Sequence, residues 1–428
     1  MKPEWWPGEE HDMFVQWAIT QGVVVNGVGP ARFQGRGLGM MAMRDIQENE
    51  VIVRVPQRVM LTVDAIPSSF SSKFPAETPV HALLAAFLCN GYPEDLEPYQ
   101  LWRQTWPSRK DFEDCMPILW PDNSYLLPPS ISGAWKNVQK RKLEFEYESS
   151  HQNILAQQQT RLRNAWDSVV AIFPETDWKS FSYHWLIVNT RSFFYLMPGQ
   201  EPPEDRNDSM ALLPLADYFN HSDMAVSVSP TLWGFAMLIF QCNVKFDGHE
   251  YVFRAAKAYN AGEEIFMSYG PHTNDFLFAE YGFYLDVNQF EALYLDDIIF
   301  QDINPSLQEE LNLQQYFGNY QLTAMGVCYR TEIAACTKYM SLKDWQNYTL
   351  GHSTQGVDVE KSAKVIHEWI STYIEEADAH IDELKERGRG DMDQVDEGRS
   401  QLSIKRWIQV KELCSKALEE TMREPKCA

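Results

Sequence analysis

Residues 212 to 222 read Leu-Leu-Pro-Leu-Ala-Asp-Tyr-Phe-Asn-His-Ser, an apolar run that stops in Asp217, Asn220 and His221. Residues 263 to 270, Glu-Glu-Ile-Phe-Met-Ser-Tyr-Gly, alternate in the manner of a strand and end in Tyr269 and Gly270. Polar groups placed where an apolar segment stops point to a site rather than to a core. A core helix with a satisfied polar end gives the same local pattern, so neither stretch decides the matter alone.

Two further pieces extend the pattern outward. Gly35-Arg36-Gly37-Leu38-Gly39-Met40 precedes both stretches, and Ala279-Glu280-Tyr281-Gly282-Phe283 follows them. Together the four resemble, in order, the motifs of the SET domain, the fold of most protein-lysine methyltransferases. The long insertion after the first piece resembles the split SET domain of the Rubisco large-subunit methyltransferase subfamily.

The resemblance implies an α+β fold of small β-sheets with a helical insertion, followed by an all-helical C-terminal domain. It sets the SET domain at 1–290, interrupted at about 62–190, and a helical substrate-binding domain at 291–428.

The bulk properties narrow the partners without naming them. The chain has 428 residues, 44% of them hydrophobic, and a formal net charge of −23. That length favours two or more structural units. The acidic surface repels a nucleic-acid backbone and favours a basic protein partner.

Seven cysteines form no Cys-x-x-Cys pair and no zinc-finger spacing, so neither a metal centre nor a disulfide framework is expected. Reduced thiols fit a cytoplasmic or nuclear compartment. No run approaches about 18 apolar residues, and no basic start precedes an apolar opening, so neither a membrane span nor a secretory signal is expected.

Along the chain, Met13, Phe14, Trp17 and Ala18 recur at helical spacing. Leu38 to Met43, Val51 to Val55 and Val59 to Leu61 are short β-prone runs broken by polar turns. Helices are predicted over Val80 to Cys89, around Ile131 to Glu148 and over Ile154 to Phe173. Lys140-Arg141-Lys142 with Glu144, Glu146 and Glu148 predicts a solvated helix face, and Pro198 to Ser209 an exposed loop.

After residue 290, Ile366, Ile370, Tyr373, Ala377, Ile381 and Leu384 share one helical face, as do Trp407, Val410, Cys414 and Ala417. Residues 385 to 401 read as their connection.

The resemblance carries a site with it. The bound cofactor is S-adenosyl-L-methionine, held by Gly37, Leu38, Arg191, Asp217, Asn220, His221, Tyr281 and Phe283. Tyr269 is the catalytic residue. Its hydroxyl stabilises positive charge on the methyl group in transfer and orients the acceptor. His221 acts through its backbone and is not a general base.

Tyr195 and Tyr281 line the channel of the incoming side chain, Tyr195 standing where the plant enzymes carry an arginine. Arg36 likewise replaces an acidic residue. Methylation of a protein lysine is the activity the resemblance implies, while the departures at Tyr195 and Arg36 keep a different acceptor nitrogen open. Methylation of another nitrogen such as histidine, and a non-catalytic binding module, are the alternatives.

Overall fold

A computed structural model of the chain describes every residue except 1, 122–125, 140–146, 148, 150, 205–208, 224–225, 231–235, 241, 389–393 and 423–428. Its chain forms two compact units, residues 1–112 with 159–271 and residues 113–158 with 272–428. No helix among the described residues is long and apolar enough to cross a membrane.

The first unit contains small antiparallel sheets. Strands β1 (Val24–Val25), β2 (Val28–Phe33), β3 (Gly37–Ala42) and β4 (Val51–Pro56) come first in the chain. Then follow β5 (Ser192–Phe194), β6 (Met210–Leu212), β7 (Val226–Pro230), β8 (Ala236–Phe240), β9 (Cys242–Phe246), β10 (Glu250–Ala255) and β11 (Glu264–Ile265).

One sheet runs β1-β4-β10-β9 and a second β11-β3-β2, while β5-β6 and β7-β8 pair separately. Alternation makes β10 a half-buried strand: Tyr251, Phe253 and Ala255 point inward. The β2–β3 hairpin pairs Phe33 with Gly37 across Gln34-Gly35-Arg36. Gly35 and Gly37 sit at φ 75° and 76°, left-handed conformations that only glycine adopts without strain.

Val59 to Leu61 departs from the expected strand. A 3-10 turn covers Gln57–Val59, and Leu61 then exchanges 3.0 Å backbone hydrogen bonds with Leu212. That exchange ties the early strands to the entrance of the Asp217 segment.

Among the insertion's helices in this unit, two position the site. Val80–Asn90 follows Pro79 and buries every residue from His81 to Leu88. Trp178–Arg191 starts on Asp177, whose carboxylate accepts from the Ser180 N–H at 2.8 Å, a cap worth about 1 kcal/mol. His81 stacks on Trp185 at 4.5 Å, clamping the two helices together. Arg191 is thus the last residue of a fixed helix that runs straight into β5.

The second unit has its core on two helices of 29 residues, Val359–Arg387 and Gln394–Met422. Their predicted faces are buried, including Ile370, Tyr373, Leu384, Trp407 and Cys414. The helices run further than expected, into the stretch 385–401 that the sequence reads as their connection.

The C-terminal lobe also holds a three-stranded ribbon, β12 (Leu293–Tyr294), β13 (Gln321–Thr323) and β14 (Gly326–Val327). The helix expected around 131–148 is only Pro129–Ser132, stopped by Gly133 in the left-handed conformation. The charged run at 140–148 lies almost wholly outside the described residues.

The division between the units falls at Pro271, where the sequence placed it at 290, and has a physical cause. Arg406, fully buried, reaches Asp275 at 2.7 Å and Glu291 at 3.1 Å. The Tyr284 hydroxyl donates to Leu402 O, and Gln409 Nε2 donates to Leu285 O. Residues 272–291 are therefore anchored on the final helix. Residues 135–137 of the insertion join the same unit: the Trp135 indole donates to Asp297 at 2.7 Å, and Glu376 accepts the backbone N–H groups of Lys136 and Asn137.

Candidate active site

The two stretches that open the sequence argument lie side by side. Met267 N–H donates to Asn220 O at 2.8 Å, Ser222 N–H donates to Met267 O at 3.2 Å, and His221 forms a parallel bridge with Met267. β11 pairs with β3, matching Glu264 with Met41 and Ile265 with Met40. The Asn220 side chain completes the join, its Nδ2 donating to Leu38 O at 2.9 Å and to Glu264 Oε1 at 2.8 Å. One amide thus ties three chain segments that are far apart in sequence.

Glu264 is buried, and burial pushes its carboxyl above the usual range against the opposing pull of Asn220 and Arg36. The exposed Arg36 guanidinium reaches its Oε2 at 2.9 Å and lies over the Phe266 ring. Gly39 is what lets this clip close. A Cβ there would stand 2.5 Å from Glu264 Oε1 and 2.8 Å from Asn220 Nδ2. Gly39→Ala is accordingly expected to cost about 1–3 kcal/mol of stability, measured by chemical denaturation.

Tyr269 is fixed at both ends. Its backbone N–H donates to His221 Nδ1 at 3.0 Å, and its hydroxyl donates to Phe219 O at 2.8 Å. The first bond requires a lone pair on Nδ1, so His221 is a neutral imidazole protonated on Nε2. Its ring stacks on Tyr269 at 5.1 Å. Burial raises the Tyr269 phenol to about 12, against the favourable field of Arg191. It therefore stays protonated at neutral pH and acts as a donor, not as a base.

Arg191 is tied to the Asp217 segment. Its Nη1 donates to Asp217 O at 3.0 Å and lies 3.8 Å from Asp217 Oδ2. The same carboxylate oxygen accepts from the Trp102 indole at 3.1 Å. Burial raises the Asp217 carboxyl, while Arg191 and Trp102 oppose the rise. Arg191 Nε is out of reach of solvent and has no acceptor.

Leu215, fully buried, holds φ 71° just before Asp217, a strained turn for a branched residue. Beneath lies the N-terminal helix Glu9–Thr20: Phe14 stacks on Trp102 at 6.2 Å, and His11 Nδ1 meets the Tyr218 hydroxyl at 2.6 Å.

Of the residues singled out in the sequence, Leu38, Arg191, Asp217, Asn220, His221 and Tyr269 thus come together in the first unit. Gly37 starts β3 beside Leu38, and no atom stands within 4 Å of the position a Cβ would take. Tyr195 is engaged elsewhere. Its hydroxyl accepts from Gln57 Nε2 at 2.8 Å and its ring packs on Phe246. Tyr281 and Phe283 belong to the second unit, their rings 6.2 Å apart.

Trp102, Glu264 and Arg36 were not assigned to the site in the sequence. For Glu264 a signal existed: it alternates with Ile265 on a strand, yet a carboxylate at that place needs partners to be buried.

A family model described as the SET domain matches residues 37–270. Among curated proteins, SET domain-containing protein 4 of Homo sapiens is 24% identical over 387 residues, covering 86% of this chain and 82% of its own. Ribosomal lysine N-methyltransferase set11 of Schizosaccharomyces pombe is 23% identical over 388 residues, covering 88% and 89%. Among solved structures, Rubisco LSMT bound to sinefungin and monomethyllysine superposes with a TM-score of 0.58 at 15% identity, over 97% of this chain and 94% of that one. The matched span runs from the glycine hairpin to Tyr269-Gly270, the residues that the clip of Asn220 and Glu264 draws together, and this chain belongs to the SET-domain family.

Proposed function

We propose that this SET-domain protein is an S-adenosylmethionine-dependent protein-lysine N-methyltransferase. The observation that carries the reading is the placement of the Tyr269 phenol, held on Phe219 O and within the electrostatic field of Arg191, Asp217 and Glu264. The named lysine methyltransferase among the relatives supports the acceptor.

The residues present fit an amino-acid-bearing methyl donor. Arg191 is three-quarters buried, with an Nε–H that lacks an acceptor, and a guanidinium fork is suited to a carboxylate. The unobstructed face of Gly37 and the backbone of Leu38 allow a ligand to approach the chain closely. When bound, the donor supplies a methyl group on a positively charged sulfur. Arg191 would hold its carboxylate, with Asp217 and Trp102 keeping the guanidinium in place. Tyr269, having committed its proton to Phe219 O, presents oxygen lone pairs to a carbon that carries partial positive charge.

The Asn220 side chain belongs to the frame of the site. Its Nδ2 is spent on Leu38 O and Glu264, so it shapes the wall. His221 contributes its ring to the placement of Tyr269.

Arg191→Ala is expected to weaken S-adenosylmethionine binding by roughly 1.5–3 kcal/mol through loss of a charge-assisted contact. Calorimetric titration checks it. A folded wild-type chain that binds no S-adenosylmethionine would overturn the enzyme reading.

The substrate is read as a basic protein, with ribosomal proteins the first class to test. The net charge of −23 and the name of one relative support this. The helical C-terminal lobe is read as the docking platform, and the compartment as cytoplasm or nucleus; free thiols at Cys89, Cys115, Cys328, Cys336 and Cys414 support the compartment. Incubation of ribosomal and total protein extracts with the enzyme and labelled donor, followed by peptide mass analysis, identifies the acceptor. Label on histidine instead of lysine would replace the lysine reading.

A further inference from the structure

A cleft of about 300 Å³ in the first unit is lined by Gln100, Arg103, Gln104, Trp106, Tyr183 and His184. None of these residues takes part in the clip around Tyr269. Arg103 is partly buried, and burial lowers its pKa. Its Nη2 donates to Leu88 O and to His184 Nε2, both at 3.3 Å. Among the described residues no carboxylate pairs with it. The guanidinium is thus held between two neutral acceptors in a molecule with a net charge of −23.

His184 adds no second charge. Its Nδ1–H donates to Ser180 O at 2.9 Å, leaving Nε2 as the acceptor for Arg103. Burial and Arg103 hold the imidazole down at about 4, so it is neutral at neutral pH. The Tyr183 hydroxyl is committed to Pro107 O at 3.0 Å, which turns its ring into a wall. Trp106, 8% exposed, lines the same space, and its indole N–H has no acceptor. The amides of Gln100 and Gln104 stand at the exposed rim.

We propose that this cleft is a binding site for a small aromatic carboxylate, with Arg103 as the charged anchor and Trp106 and Tyr183 as the walls. One fixed positive charge matches one carboxylate, whereas a phosphate dianion would leave an excess negative charge in a partly desolvated place. The volume lies at the lower end of the range for small-molecule sites, which sets the size of the body that the walls accept. The site is distinct from that of the methyl donor. Trp102 links the two, donating to Asp217 with its indole N–H and packing edge-on against Trp106 at 5.5 Å.

Calorimetric titration of the full chain, saturated with S-adenosylmethionine, with sodium benzoate tests the assignment. Benzamide and inorganic phosphate serve as comparators. Saturable one-site binding of benzoate is expected, with both comparators at least about tenfold weaker, and Arg103→Gln is expected to abolish it. Equal binding of benzamide, tighter binding of phosphate, undiminished binding to Arg103→Gln, or no saturation by benzoate would each overturn the proposal. Should Arg103→Gln fail to fold, the contrast between benzoate and benzamide on the wild-type chain decides the matter unaided.

Discussion

Tyr269→Phe is expected to lower the rate of methyl transfer by about tenfold to a thousandfold while leaving donor affinity nearly unchanged. The substitution removes one oxygen and almost no volume. The bond from the Tyr269 hydroxyl to Phe219 O is worth only about 1 kcal/mol to stability, so the fold survives. The backbone bond to His221 and the stacking of the two rings do not depend on the hydroxyl.

What disappears is a fixed oxygen aimed at developing positive charge, in a site where burial holds the phenol protonated up to about 12. A rise of rate with pH in the neutral range then reports deprotonation of the acceptor amine, not of Tyr269, and should persist in the phenylalanine variant at its lower rate. Single-turnover kinetics with calorimetry separate the two effects. Wild-type turnover by the variant would make Tyr269 a packing residue.

The site was legible in sequence because its residues end regular elements. Arg191 closes a helix, Asn220 and His221 follow an apolar run, and Tyr269 follows a strand, each a place where periodicity stops on a polar group. What periodicity lacks is pairing at a distance. Nothing in the order of residues says that Asn220 bonds Leu38, or that Trp102 bonds Asp217 across 115 positions.

The same gap explains Tyr195. Its place in the sequence says nothing of Gln57 and Phe246, on separate elements, which fix its side chain. Over the described residues 131–139 the expected helix stops for a local reason: Gly133 in the left-handed conformation ends it after one turn. The β12–β14 ribbon was missed because strands of two or three residues are too short to show a period.

Arg406→Met is expected to cost about 3–5 kcal/mol of stability, the range for removing one partner from a buried ionic cluster. Asp275 is 1% and Arg406 0% exposed, and Arg406 reaches Asp275, Glu291 and Gln409 from a single guanidinium. Loss of its charge leaves two carboxylates facing each other out of water. Burial already pushes Glu291 upward while Arg406 pulls it down; without the arginine, the Glu291 carboxyl should rise further above its unfolded value.

A folded pKa raised in an acid means that the folded state binds more protons, so the deficit is small below the unfolded pKa and grows as pH rises through the folded one. Thermal or chemical denaturation from pH 4 to 8 should therefore show the variant falling further behind wild type toward the alkaline end. Adding Asp275→Asn and Glu291→Gln to Arg406→Met should remove that slope and restore part of the stability, because neutral amides carry a smaller desolvation penalty. A pH-independent deficit, unaffected by the amide substitutions, would show that Arg406 contributes packing alone. The anchoring of residues 272–291 on the final helix would then rest on the bonds of Tyr284 and Gln409.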